Sequence, residues 1–206
     1  MSCTLFEAAS EVIIMSNRKE KTKVLVLGAM LTAIVIVFQL LGSFIRFGPF
    51  SVSLVLVPII IGSAMCGVKI GTWLGFVFGV AVIMSGDATA FMQLDVFGTI
   101  VTVLLKGTLA GLVSSLIYKL LSNKNKYIAV MVSAVVCPIV NTGIFVLGCF
   151  VFFFKDLAAW APKGQGTVEY IILGLVGFNF IFEILTNLIL SPVIFRLLNI
   201  SKKSTN

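Results

Sequence analysis

The sequence predicts an all-α membrane protein, a bundle of six transmembrane helices with both termini on the cytoplasmic side. Three observations predict it. Of 206 residues, 59% are hydrophobic and only 11% are charged, with a mean hydropathy of +1.15. That balance excludes an ordinary soluble domain. Apolar runs of about 20 residues, the length of helix that crosses a hydrocarbon core, recur along the chain, and the shorter alternating pattern of β-barrel strands does not appear. Finally, the basic residues collect at the ends of alternate runs. Six crossings place Arg18, Lys19, Lys21, Lys23, Lys69, Lys119, Lys124, Lys126, Arg196, Lys202 and Lys203 on one side, and only Arg46, Lys155 and Lys163 on the other. Positive charge marks the cytoplasmic side, so this asymmetry predicts an N-in, C-in, multi-pass protein of a bacterial plasma membrane. Five or seven crossings would break the pattern.

The elements follow in order. Residues 1–17 are expected to be an extension, either unstructured or assigned in error, because Met15 opens a more ordinary start, Met-Ser-Asn-Arg-Lys-Glu-Lys. Codons for Glu11-Val12 can also spell a ribosome-binding sequence just upstream of Met15. The membrane domain is predicted over 18–200, with a basic cytoplasmic tail at 201–206. Segment one covers 24–41, with Gly28, Ala29 and Ala33 on one face and Gln39 near its far end. The loop 42–50 holds Arg46, Phe44, Phe47 and Phe50. Segment two, 51–66, contains Pro58 and meets segment three, 70–84, through the turn Gly67-Val68-Lys69. A loop at 85–95 carries Asp87, Phe91 and Asp95. Segment four, 96–121, has Lys106 near its middle; segment five, 127–154, contains Pro138 and Asn141. The loop 155–166 includes Trp160 and Pro162. Segment six, 167–198, suits Thr167 as its N-cap, with Glu169 in the first turn.

Composition and motif content exclude several functions. The net charge of +7 resides at segment ends and points to no nucleic-acid partner. Histidine is absent, which removes the commonest metal ligand and proton shuttle. The cysteines, Cys3, Cys66, Cys137 and Cys149, form no CxxC pair and read as buried inert thiols. No metal and no cofactor are expected. No P-loop, HExxH or serine–histidine arrangement occurs, so the chain is not read as an enzyme, and any active transport needs a partner that hydrolyses ATP.

Four constellations remain. Gly67, Gly71, Gly75 and Gly79 stand four apart, with Gly107 and Gly111 as a second pair. Small residues at this spacing let helix backbones approach, and packing within the bundle explains them. Ala29 and Ala33 make a flat stripe on segment one, for which internal packing again suffices on spacing alone. Third, Lys106, Asn141, Asn179 and Glu183 bring polar groups to membrane depth on three segments. A rise of about 1.5 Å per residue puts Lys106 and Glu183 roughly 15–20 Å below the outer ends of their segments. An acidic group at a helix centre costs roughly 3 kcal/mol by insertion scales. Either a Lys106–Glu183 ion pair that only joins helices offsets that cost, or a polar pocket for a small ligand does. Asn179, Glu183 and Asn187 share one face, and Asn187, the deepest, is expected to hydrogen-bond between helices. Fourth, Phe44, Phe47, Phe50, Phe91 and Trp160 form either an interfacial aromatic belt or a lid over a pocket mouth.

Taken together, these residues resemble a known family. The basic leader before Ala29-x-x-x-Ala33, Pro58-x-x-x-Gly62 leading into Gly67-Val68-Lys69-x-Gly71-x-x-x-Gly75-x-x-x-Gly79, and Gly107-Thr108-Leu109-Ala110-Gly111 are similar to the S components of energy-coupling factor (ECF) transporters over residues 18–200. The resemblance implies a substrate-binding subunit of an ABC importer. It would capture a vitamin or related micronutrient from outside and work with a transmembrane coupling (T) subunit and two cytoplasmic ATPases. The nearest flavour is the group of pantothenate, folate and pyrimidine-precursor carriers. The family's alanine pair on helix one docks the coupling subunit, which implies that role for Ala29 and Ala33. Its outer-side pocket implies substrate contacts at Lys106, Asn141, Asn179 and Glu183, with Gln39 and Arg46 beside them, and a lid of Phe44, Phe47, Phe50 and Phe91. Two readings compete: a stand-alone proton-coupled secondary carrier using Glu183, and a non-transport scaffold for cell shape or wall synthesis.

Overall fold

The computed structural model describes the backbone of residues 2–43, 46–47, 50–51, 54–162 and 164–203, and side chains over 21–43, 54–162, 164–177 and 179–200. The expected extension over residues 1–17 falls outside the described side chains. Apart from one pair of two-residue strands, the regular elements are helices. These are α1 (Ser2–Gly42), α2 (Leu56–Cys66), α3 (Val68–Met84), α4 (Thr89–Met92), α5 (Val96–Ser122), α6 (Lys126–Phe152), α7 (Phe154–Trp160), α8 (Thr167–Glu169) and α9 (Phe178–Lys203). A π-helical stretch, Tyr170–Gly177, joins α8 to α9. Strands β1 (Arg46–Phe47) and β2 (Phe50–Ser51) pair antiparallel between α1 and α2. Four described runs are long and apolar enough to cross a membrane: Lys21–Gly42, Val96–Ser122, Lys126–Phe152 and Thr167–Ile200.

Local chemistry sets the helix ends. Asp95 caps α5 by accepting from the Phe97 N–H at 3.0 Å. Asn125 caps α6 by accepting from the N–H groups of Tyr127 and Ile128. Both supply acceptors to first-turn donors that have no partner in the helix. At the last long helix, Gly166 rather than Thr167 is the N-cap, and Thr167 is the first helical residue. Helix α2 begins at Leu56, five residues later than expected, and Ser51 belongs to β2. Pro58 then lies in the first turn, where its missing N–H costs no intrahelical bond. Eleven residues rise about 16 Å, half of a hydrocarbon core.

The glycine ladder divides into a turn and a contact. Gly67 has φ +85° and reverses the chain between α2 and α3, and a Cβ there would meet nothing within 4 Å. Glycine adopts that conformation without steric penalty. Gly71, Gly75 and Gly79 instead press α3 against α5. A Cβ on Gly75 would collide with the Gly107 carbonyl oxygen, and one on Gly111 with the Gly71 carbonyl oxygen. Helix α5 thus lies centrally, packed on α3 along one side and α6 along the other. Two apolar cores result. The larger joins Val35, Leu56, Ile60, Leu74, Phe78, Val103, Ala134 and Ile194 from α1, α2, α3, α5, α6 and α9. The smaller joins Phe91, Phe145, Cys149, Phe153, Leu157 and Ile171 around α4, α6 and α7. Of the described cysteines, Cys137 and Cys149 are buried, Cys66 is half-buried, and all three are free.

Candidate functional site

Between the two cores lies a cavity with about 750 Å³ of empty space, open solvent included. Helix α1 contributes Gln39; α3 contributes Phe78 and Val82; the α3–α4 connection contributes Asp87. From α5 come Thr99, Thr102 and Lys106, and from α6 Asn141, Thr142 and Phe145. The π-helical stretch supplies Leu175 and Val176, and α9 supplies Asn179 and Glu183. Lys106, Asn141, Asn179, Glu183, Gln39 and Phe91, singled out from the sequence, therefore line one cavity. The side chains of Arg46, Phe44, Phe47 and Phe50 lie outside the described residues.

Charge organises the polar wall. Lys106 is half-buried, with Nζ 5.8 Å from the Phe78 ring centre and 5.3 Å from that of Phe145. Aromatic faces attract a cation, more strongly when water is excluded. The carboxylates of Glu183 and Asp87 line the same cavity as Lys106. Glu183 is 1% exposed and accepts from Asn179 Nδ2 at 3.3 Å, one helical turn away. Gln39, 2% exposed, donates through Nε2 to Asp87 Oδ2 and, at 3.2 Å, to Ser85 Oγ. That amide ties the end of α1 to the α3–α4 connection. The buried Asn141 Oδ1 and Thr102 Oγ1 have no hydrogen-bond partner among the described residues. Leaving such a group unsatisfied costs about 1–3 kcal/mol, so a ligand offering polar atoms there gains correspondingly.

The polar stripe of α9 divides as its depth suggests. Asn179 and Glu183 reach the cavity and Asn187 does not. Asn187 is 1% exposed, but neither amide atom has a partner among the described residues, so the expected helix-to-helix hydrogen bond is not formed. Phe91 is 5% exposed and sits edge-on between Phe145 and Phe153, with Trp160 6.0 Å away. It builds the cavity wall and is not a surface-exposed aromatic. Ala29 and Ala33 are exposed on α1, whose buried face is instead Gly28, Leu31, Val35 and Gln39. Packing within the bundle, the sufficient explanation on spacing alone, does not use the alanine pair.

Sequence reasoning missed Asp87, Thr99, Thr102 and Phe145 as cavity residues. Thr99, Thr102 and Lys106 stand three and four apart, so helical spacing carried a signal for the threonines. Asn141 and Phe145 have the same relation. Asp87 had none, because its contact is with Gln39, 48 residues away in sequence.

Comparison with known proteins agrees with this architecture. No curated protein matches the chain. A solved structure of ThiT from Listeria monocytogenes, obtained by native-SAD phasing, shares the fold with a TM-score of 0.59 at 19% identity, over 89% of this chain and 97% of that one. The family model described as "ECF transporter, substrate-specific component" matches residues 23–195. With its membrane-length helices and this match over most of its length, the chain belongs to the substrate-specific components of ECF transporters.

Proposed function

We infer that the chain captures a small polar micronutrient, of the vitamin class, from outside the cell. It then delivers the ligand in a complex with a T subunit and two ATPases. One observation carries the reading: α1, α5, α6, α9 and the α3–α4 connection converge Gln39, Lys106, Asn141, Glu183 and Asp87 on a single cavity inside an apolar bundle. Ionisable residues at membrane depth are costly and mark functional sites. Lys106 pairs with an acidic group of the ligand, Asn141 and Thr102 supply hydrogen bonds, and Phe78, Phe145 and Phe153 cover its apolar part. In this reading the shorter helices α2 and α3, α2 helical over only about half of the hydrocarbon core, bring the crossings to six with both termini inside, and the cavity opens outward. The protein purified from cells, denatured and analysed by mass spectrometry, should release one small molecule at near-stoichiometric amount. Recovery of no compound would sink the capture reading.

The exposed Ala29 and Ala33 support docking of the T subunit on α1. Ala29→Trp and Ala33→Trp should each abolish copurification with T subunit and ATPases while the isolated chain keeps its melting temperature and ligand. An intact complex with active uptake would show that docking occurs elsewhere.

A further inference from the structure

A second cavity lies at the opposite ends of the same helices, lined by Leu27 of α1, Ala64 and Met65 of α2, Tyr118 of α5, Lys126 of α6, and Phe195, Leu198 and Asn199 of α9. It encloses about 510 Å³ of empty space, open solvent included. We propose that it binds one anionic glycerophospholipid, with the phosphate at Lys126 and an acyl chain along Leu27, Met65, Phe195 and Leu198.

Three observations meet here. The lining is divided by chemistry: Tyr118, Lys126 and Asn199 offer hydroxyl, ammonium and amide donors, and the other residues are apolar. That division suits an amphiphile and would suit neither a free ion nor a wholly apolar solute. The charged side chains described at this end of the bundle are also basic. Lys21, Lys23, Lys69, Lys119, Lys124 and Arg196 fall at the same ends of the helices without lining the cavity. The described carboxylates Asp87, Asp95, Asp156 and Glu169 belong to the opposite ends, and Glu183 lies in the first cavity. Basic pockets between transmembrane helices select anionic headgroups, and a lysine stem can lie along apolar surface while its ammonium reaches the headgroup layer. The apolar wall is also fixed in place. Tyr127 packs edge-on against Phe195 at 5.3 Å, and Leu198 is 7% exposed.

Native mass spectrometry of the full chain in mild detergent tests the site, with equimolar phosphatidylglycerol and phosphatidylcholine of identical acyl chains. One phosphatidylglycerol adduct should survive on the wild-type protein in preference to phosphatidylcholine. Lys126→Glu should lower that occupancy about tenfold, Lys126→Arg should keep it, and Lys69→Glu, in the turn before α3, should leave it unchanged. Excess inorganic phosphate should not displace the lipid. Equal retention of both lipids, an unaffected Lys126→Glu, an equal loss in Lys69→Glu, or displacement by phosphate would each overturn the assignment. A melting temperature for Lys126→Glu equal to wild type keeps the comparison a statement about lipid.

Discussion

Gly75→Leu is expected to lower the melting temperature of the bundle by about 10 °C, whereas Gly143→Leu is expected to be tolerated. Both glycines lie inside long helices, so the intrinsic helix preference of leucine favours each replacement equally. Their surroundings differ. A Cβ at Gly75 would overlap the Gly107 carbonyl oxygen and meet the Gly111 Cα at 3.2 Å, whereas at Gly143 nothing lies within 4 Å. The colliding atoms at Gly75 are all backbone, so no rotamer change relieves them, and α3 must move away from α5. Separation also opens the neighbouring contacts, because a Cβ on Gly107 would in turn strike the Gly75 carbonyl. Overpacking of this kind costs about 3 kcal/mol or more. For a chain of this size, that corresponds to a melting temperature lower by about 10 °C. The same displacement would carry Phe78 away from Lys106 and distort the first cavity. Thermal unfolding in detergent, followed by size-exclusion profile and ligand retention, measures all three effects. A Gly75→Leu protein that melts like wild type would refute close α3–α5 packing.

The contrast between these glycines shows what a single sequence can and cannot reveal. Spacing of four identified Gly71, Gly75 and Gly79 as a contact stripe, because lipid provides no hydrophobic force and small residues are what let backbones meet. Gly67 shares the spacing but belongs to the turn Gly67-Val68-Lys69 that the sequence also marks, and there the chain reverses at positive φ. Helix limits were legible at α5 and α6 because Asp95 and Asn125 mark the starts chemically. They were less legible at α2, where a mostly apolar run interrupted only by Ser51 and Ser53 leads from the strand towards the helix, and hydropathy alone distinguishes neither. The short helices α4 and α7 were hidden in what read as loops. The π-helical stretch Tyr170–Gly177 was hidden too, inside a run of uniform apolar character. Such irregular helix is frequent at functional sites, and here it leads directly into Asn179 and Glu183. The depth of Lys106, Asn141 and Glu183 was legible from counting residues along helices. The Gln39–Asp87 clamp was not, since it depends on how two distant chain ends are brought together.

Lys106→Met is expected to abolish ligand binding and to cost about 1–3 kcal/mol of stability, the range for leaving a buried polar group such as the Glu183 carboxylate without compensation. Methionine preserves the length of the stem against Phe78 and Phe145 but removes the cation from the cavity that Glu183 and Asp87 line. Glu183→Gln should be milder, because glutamine keeps an oxygen to accept from Asn179 and the Asp87 carboxylate remains in the cavity with the lysine. The double variant separates the two roles that the sequence left open. If the pair serves only to join helices, Lys106→Met/Glu183→Gln removes both charges together, recovers most of the stability and regains ligand affinity. If Lys106 contacts the ligand, the double variant recovers stability alone and binding stays lost. The latter is the expected result, because Lys106 lines the same cavity as Asn141 and Thr102, whose Oδ1 and Oγ1 find no partner among the described residues, and a ligand gains most from polar contacts there. Melting temperature and ligand titration on the same four proteins close the cycle. Affinity restored in the double variant would reduce Lys106 to a structural counter-charge and move the ligand's polar contacts to Asn141, Thr102 and Asn179.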